Sequence, residues 1–333
     1  FHSLAGKMFG YDQAGLIFNG RRVGDSYQLG GGKVFYVDPA NGDDNRSGVN
    51  YEESLDTLGA AHDLCTAGKN DVVVLIGDGG TTGTARLPEQ LAWSKNATHL
   101  IGVTAPTPIA SRARISHAST APTTAFGMVK VTASGCMFSG FSLFEGFNEA
   151  AACVVWEDQG ARNYYDRVHI GGMGLDAKSG DSAGSADLLL TGGGEHYFNR
   201  CTIGLDTVER GAANANVRFA SQVARVIFDD CWFLASADAA TPLFVDANTA
   251  NALNRWVMFN RCHFLNGLNY GPATTLTAAM AVHASANGTV LVNSCSKLNT
   301  TDWTAADSAL VKIANMPTTS GDTGGEYVSS DAT

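Results

Sequence analysis

Short apolar runs separated by turn-forming residues dominate this chain, and five of them end in the same polar corner. The corners read Tyr165-Asp166-Arg167-Val168, Phe198-Asn199-Arg200-Cys201, Phe228-Asp229-Asp230-Cys231, Phe259-Asn260-Arg261-Cys262 and Val292-Asn293-Ser294-Cys295. Their last residues are spaced by 33, 30, 31 and 33 positions. A unit that returns at a near-constant step is the pattern of a solenoid, in which each turn of chain stacks on the one before. Before each corner lies another apolar run: Val154-Val155-Trp156, Leu188 to Leu190, Val217 to Phe219, Leu243 to Val245 and Met280 to Val282. Each coil therefore has at least two strands. The inward positions should form three columns. One is Tyr165, Phe198, Phe228, Phe259 and Val292; the second is Val168, Cys201, Cys231, Cys262 and Cys295; the third is Ile170, Ile203, Phe233 and Phe264. The polar residue between two inward ones suits a sharp bend, since Asn tolerates left-handed backbone and its amide can bond along the stack. Lys297 stands where Phe264 stood, so the last copy reads as a decaying one.

The opening follows a different order. Val34 to Val37 predicts a strand, and Asp38 to Asn45 is dense in turn formers. A helix is predicted over 54–67, with Thr57 as N-cap, Gly68 as stop, and Leu58, Ala61, Leu64 and Cys65 on the buried face. Val72 to Ile76 predicts a strand covered on both sides, followed by His99 to Val103 and Arg114 to Ser116. In its order, Tyr36-Val37-Asp38-Pro39-Ala40-Asn41-Gly42-Asp43-Asp44, the capping helix, Val72 to Gly80 and Leu100-Ile101-Gly102-Val103 resembles the start of right-handed parallel β-helix proteins of the pectate-lyase-like superfamily. The landmarks cover residues 34–120 and the repeats extend the likeness to about 313. The resemblance implies an all-β fold, a single-stranded right-handed parallel β-helix with an N-terminal capping helix. It names no activity, because the superfamily includes lyases, hydrolases, phage tailspikes and virion surface proteins. The expected division is a docking arm over 1–32, the β-helix over 33–315 and a tail over 316–333.

Composition narrows the partners. Charged residues make up 16% of the 333, and the net charge is -10. That disfavours nucleic acid and anionic membrane, both of which select basic patches. No apolar run approaches the length of a membrane helix. Seven cysteines, four of them in one slot, read as small buried reduced hydrophobes and favour assembly in a reducing cytoplasm. The chain opens at Phe1, so its start reads as processed or preceded by further residues; a removed signal peptide would fit this, without support from the residues present.

Asp229-Asp230 is the most enzyme-like pair. In the resembling hydrolases paired aspartates supply acid and base; in the lyases clustered aspartates hold calcium beside a catalytic Arg or Lys. Acid-base work needs two carboxyls on one exposed face within reach of one bond. Here Asp229 takes the slot held by Asn in three copies, and Asp230 the slot of Arg167, Arg200 and Arg261, so a bend and a charge column are the plainer roles. Glu195-His196, Asp206, Glu209 and Arg210 would join that pair only if neighbouring coils bring them together. The hydrolase-type run of Asn-Thr-Asp, Gly-His-Gly and Arg-Ile-Lys is absent, as is the lyase-type aspartate cluster.

Gly171-Gly172-Met173-Gly174-Leu175-Asp176 matches only the start of a calcium-binding nonapeptide and reads as a flexible loop. Asp38 to Asn45 is oxygen-rich but reads as a turn, and Gly30-Gly31-Gly32-Lys33 lacks P-loop spacing. His169, Trp232 and His263 share one slot that should face outward, where Trp232 could stack on a sugar. The expectation is a virion structural protein of a bacteriophage, a capsid decoration or spike assembled in the host cytoplasm and without cofactor or metal. It should be a trimer, bind the particle through its arm, and touch a host glycan if any. A polysaccharide lyase or glycoside hydrolase of tailspike type and a non-catalytic glycan-binding module are the alternatives.

Overall fold

The computed structural model describes residues 32–118, 126–267, 274–304 and 309–316, together with the backbone of three short strands nearer the start. Those three, Phe9–Asp12, Gly15–Phe18 and Arg21–Val23, form an antiparallel meander. The side chains of the expected arm and the whole expected tail beyond Met316 lie outside the described residues.

From Val34 to Ala314 the chain winds as a right-handed parallel β-helix, an all-β solenoid with one seven-residue helix among the described residues. Each full coil contributes three strands, within the expected minimum of two, and like strands stack into three parallel sheets. One central coil shows the plan. Val154–Asp158 belongs to the first sheet, Tyr164–Asp166 to the second and His169–Gly171 to the third. The second sheet has ten strands and the other two have eight each. Nine steps of roughly 4.8 Å make that stack about 43 Å long.

The three predicted columns point inward and are buried. In register through the second sheet run Phe35, Val73, Leu100, Phe138, Tyr165, Phe198, Phe228, Phe259, Val292 and Ile313. Tyr165 and Phe198 stack at 4.3 Å between ring centroids, Phe198 and Phe228 at 4.6 Å, and Phe228 and Phe259 at 5.0 Å. The strand spacing sets this distance, so aromatic stacking comes with the register. All seven cysteines are buried and unpaired. The Cys231 and Cys262 thiols donate to the carbonyls of Phe198 and Phe228, one coil back, at 3.5 and 3.3 Å.

Two expectations change in detail. The helix, α1, is Leu58–Leu64 rather than 54–67. Thr57 caps its start, accepting from the Ala60 amide at 3.2 Å. Its end comes before Gly68, because Lys95 Nζ donates to the carbonyls of His62, Asp63 and Cys65 at 2.8, 2.7 and 2.9 Å. The buried face is Leu58, Ala61, His62 and Cys65, while Leu64 is exposed. Nor does the repeat decay at Lys297, whose strand Ser296–Leu298 keeps parallel register with His263–Asn266. Its stem lies in the interior and its ammonium donates to the Thr300 carbonyl at 2.9 Å and to that of Thr301. A long alkyl stem with a bonded tip can fill an aromatic slot near the end of the stack.

Candidate functional site

The repeated corner joins the second sheet to the third, and its polar residues divide the work. Asp166, Asn199, Asp229, Asn260 and Asn293 each end a strand of the second sheet. The left-handed residue is the next one. Arg167, Arg200, Asp230, Arg261 and Ser294 have φ between 52° and 53°. The expectation that Asn takes this conformation is therefore corrected by one position, since Asn is needed in extended backbone to point its amide along the stack. Asn199 donates to Asp166 at 2.8 Å, Asn260 to Asp229 at 2.7 Å, Asn293 to Asn260 at 2.6 Å and Asn315 to Asn293 at 2.7 Å.

Asp229 and Asp230 are tied into this column. Asp229 accepts from Asn260 on one neighbouring coil and from the Tyr197 hydroxyl at 3.0 Å on the other. Arg261 reaches back one coil, with Nη2 at 2.7 Å from Asp229 and Nε at 2.8 Å from Asp230. Arg200 reaches back to Asp166 in the same manner, and the adjacent Arg167 holds it too, each at 2.8 Å. The pair faces a guanidinium and an amide, the surroundings of a structural carboxylate rather than of a general acid and its base.

Glu195, His196, Asp206, Glu209 and Arg210 do not join it. Glu195 sits at the corner between the first and second sheets, left-handed like Arg162 and Arg225. It pairs with those two arginines at 2.6 and 2.9 Å. His196 points inward, with Nδ1 3.5 Å from the buried Asp158 carboxylate. Asp158 also accepts the Tyr165 hydroxyl at 2.5 Å and the Asn163 amide. Burial holds the His196 imidazole below its usual pKa, with Asp158 working against that. Arg210 is fully buried, donating to Asn214 at 2.8 Å, Asn216 at 2.9 Å and the Leu243 carbonyl at 2.9 Å. Asn216 in turn donates to buried Asp187 at 2.9 Å. Burial raises the Asp187 carboxyl to about 7, with Arg210 and the hydrogen bonds opposing. This network joins consecutive coils and anchors the loop over 172–185, because Gly172 N donates to Asp187 at 2.6 Å.

The loop that resembled a calcium nonapeptide is packed against the solenoid, with Met173 and Ser179 buried. At its rim the carboxylates of Asp176, Asp181 and Asp238 lie within 4.8 Å of one another, all exposed. Asp181 accepts the Gly211 amide at 3.0 Å. Sequence reading missed this trio, since Asp238 comes from the following coils. The Asp38 segment is a turn, its carboxylate accepting the Ala40 and Asn41 amides at 3.1 and 3.2 Å.

Two outer faces carry exposed chemistry. On the first sheet Lys130, Glu157, Leu189, Arg218 and Asp246 follow one outward column. Lys130 pairs with Glu157 at 3.6 Å and Arg218 with Asp246 at 2.9 Å. This stripe was not legible as a set. The third sheet presents Arg114, Ser142, His169, Thr202, Trp232, His263 and Ser296 in register, so the shared slot does face outward. His169 is nevertheless covered: its Nδ1 accepts the Ala110 amide at 3.0 Å and its Nε2 lies 3.0 Å from the Gly204 carbonyl. Trp232 stays exposed, edge-on to His263 at 6.4 Å. A groove of about 240 Å³ beside His169 is lined by Arg114, Phe144, Leu205, Asp206 and Leu234. The Arg114 guanidinium lies 5.0 Å from the Phe144 ring centre, and burial together with Arg86 and Arg112 lowers its pKa.

No protein-family model matches the chain, and no curated protein matches it. Solved structures share its fold. Pectate lyase Pel9A aligns over 80% of this chain at 14% identity with a TM-score of 0.54, and the chain spans 63% of that protein. A pectin methylesterase from Aspergillus niger aligns over 94% of this chain and 93% of its own at 16% identity, TM-score 0.53. ORF18 of Geobacillus virus E2 aligns over 88% of this chain and 59% of its own at 10% identity, TM-score 0.46. At such identities the likeness establishes the right-handed parallel β-helix fold, which by itself assigns no activity.

Proposed function

We propose that this chain is a structural β-helical protein of a bacteriophage virion, a decoration or spike on the particle surface. The observation that carries the reading is the bonding of Asp229 and Asp230. The most enzyme-like pair in the sequence is spent on holding coils together through Asn260, Tyr197 and Arg261. A stack of buried unpaired thiols suits assembly in a reducing cytoplasm. In this reading the rods associate as trimers through their sides, and the Gly-rich arm attaches to the particle. The test is to ask whether the chain copurifies with intact particles at a fixed copy number through a density gradient, and whether its solution mass is three times 34.8 kDa. A monomer that is never found in particles defeats it.

A second reading, a polysaccharide lyase or glycoside hydrolase acting on acidic glycans, draws on the Lys130–Glu157 and Arg218–Asp246 stripe of the first sheet. Release of reducing ends or of unsaturated products from acidic polysaccharides, lost in Asp246→Ala or Asp230→Ala, would establish it and displace the structural reading.

A further inference from the structure

The outer face of the third sheet is opened by two glycines. Two residues along from the column of Arg114, Ser142 and His169, Phe144 is in register with Gly171, and Gly204 with Leu234. Two positions without side chains between two large ones leave the groove of about 240 Å³ beside His169. The bulge between Gly204 and Glu209 supplies one wall, and its Leu205 lies over Gly171, where a Cβ would meet the Leu205 Cδ2 at 2.9 Å. Ile109 and Ala110, from the segment before Arg114, add to the lining.

Arg114 is half-buried in that lining, and no hydrogen bond or ion pair satisfies its guanidinium among the described residues. Its contact with the Phe144 ring is a cation–π one, which uses none of the five N–H donors. Arg86 and Arg112 are its charged neighbours, so their repulsion adds to the cost of burial. Arg86 bonds the His117 carbonyl at 3.1 Å. An anion in the groove would supply Arg114 with both the missing acceptor and the missing charge.

We propose that this groove binds a small monocarboxylate whose apolar body is about the size of one ring, with its carboxylate on the Arg114 guanidinium. Ile109, Phe144, Leu205 and Leu234 are apolar and select the body. Arg114 selects a planar anion, which its fork meets with two parallel bonds. Asp206 lies in the same lining and sets the limit of one charge, because a sulfate or phosphate dianion would be repelled by it. His169 adds no charge, since burial holds its ring below the usual pKa. The site lies on a different sheet from the Lys130 to Asp246 stripe and does not rest on the virion reading.

Benzoate, benzamide and acetate separate the two selections. Benzamide keeps the ring and loses the charge; acetate keeps the charge and loses the ring. Calorimetric titration of the full chain should show saturable benzoate binding about tenfold tighter than that of either. The Arg114 Nε–H signal should move with benzoate in NMR spectra. Arg114→Gln, with an unchanged thermal melt, should make benzoate and benzamide equal. Asp206→Asn removes the repulsion and should tighten benzoate about threefold. The proposal is overturned by equal binding of benzoate and benzamide to the unaltered chain, or by acetate or sulfate binding as tightly as benzoate. Benzoate binding that survives Arg114→Gln, looser binding in Asp206→Asn, or no saturable binding to the full chain overturns it as well.

Discussion

Asn260 donates its side-chain amide to Asp229 at 2.7 Å, one coil step along the corner column. An aspartate in an asparagine ladder accepts on every side and donates to none, so the column stops at Asp229. Asn199 donates in the same sense, one coil back to Asp166, so the missing step is the one from Asp229 to Asn199. Asp229→Asn should let the ladder run through to Asn199 and change stability by no more than about 1 kcal/mol, the lost Arg261 pair offsetting the gained bond. Asp229→Ala strands the Asn260 amide and should cost about 1–3 kcal/mol. Urea unfolding of the two variants checks the order. Glycan-cleaving activity destroyed by both changes alike would point to a catalytic carboxylate.

Left-handed backbone at Ser294, φ 53°, is held by the corner and not by the side chain. Outside glycine this conformation costs roughly 1–2 kcal/mol. Ser294→Gly should raise the unfolding free energy by up to about 1 kcal/mol, after glycine's own entropy is subtracted. Ser294→Val should lower it, because β-branching crowds the left-handed region. Paired denaturant curves would show a reversed order if the corner relaxes.

Phe228 is fully buried between the rings of Phe198 and Phe259. Phe228→Ala opens a void in a column that cannot close up, since strand spacing fixes its neighbours, and should cost about 3–5 kcal/mol. Cys262→Ala at the adjacent corner removes one small atom group and should cost about 1–2 kcal/mol. Thermal melts showing equal losses would contradict the stacked-column account.

Acid should weaken the fold before carboxylates titrate. Burial lowers His62 and His99 to about 4 and pushes His169 and His196 down as well. The unfolded chain then binds more protons than the native one between roughly pH 6.5 and 4, and stability falls as pH drops through that window. Asp187, raised to about 7 by burial, acts with the opposite sign: the native state holds its proton longer, so stability falls as pH rises from about 4 to 7. Burial also raises Glu145 and Asp56, which act with Asp187, so the four histidines are set against three carboxyls and their own contribution is the loss toward pH 4. In His99→Gln the loss should be shallower, and unfolding free energies at several pH values measure it.

The parts of the fold that repeat at short range were readable in the residues. The inward columns, the corner, the Thr57 cap and the Cys stack follow from alternation along a strand, which is a local property. The inward column of the third sheet, Ile170, Ile203, Phe233 and Phe264, was readable, but strands of three residues such as His169–Gly171 and Ser296–Leu298 are too short to show a period of their own. At the candidate site, the demotion of Asp229 to the ladder was visible from its slot, but Arg261 as its partner was not.

The sequence by itself determined that this chain stacks coil upon coil and which residues face the axis, because strand alternation and a near-constant step leave no other place for the apolar set. Tertiary structure alone decided which corner residue turns left-handed, that His196 and Arg210 lie inside, that Asp176, Asp181 and Asp238 meet, and that a groove opens beside Arg114. Those relations join side chains about thirty positions apart or on different sheets. They depend on register and loop path, and neither is carried by any local pattern of residues.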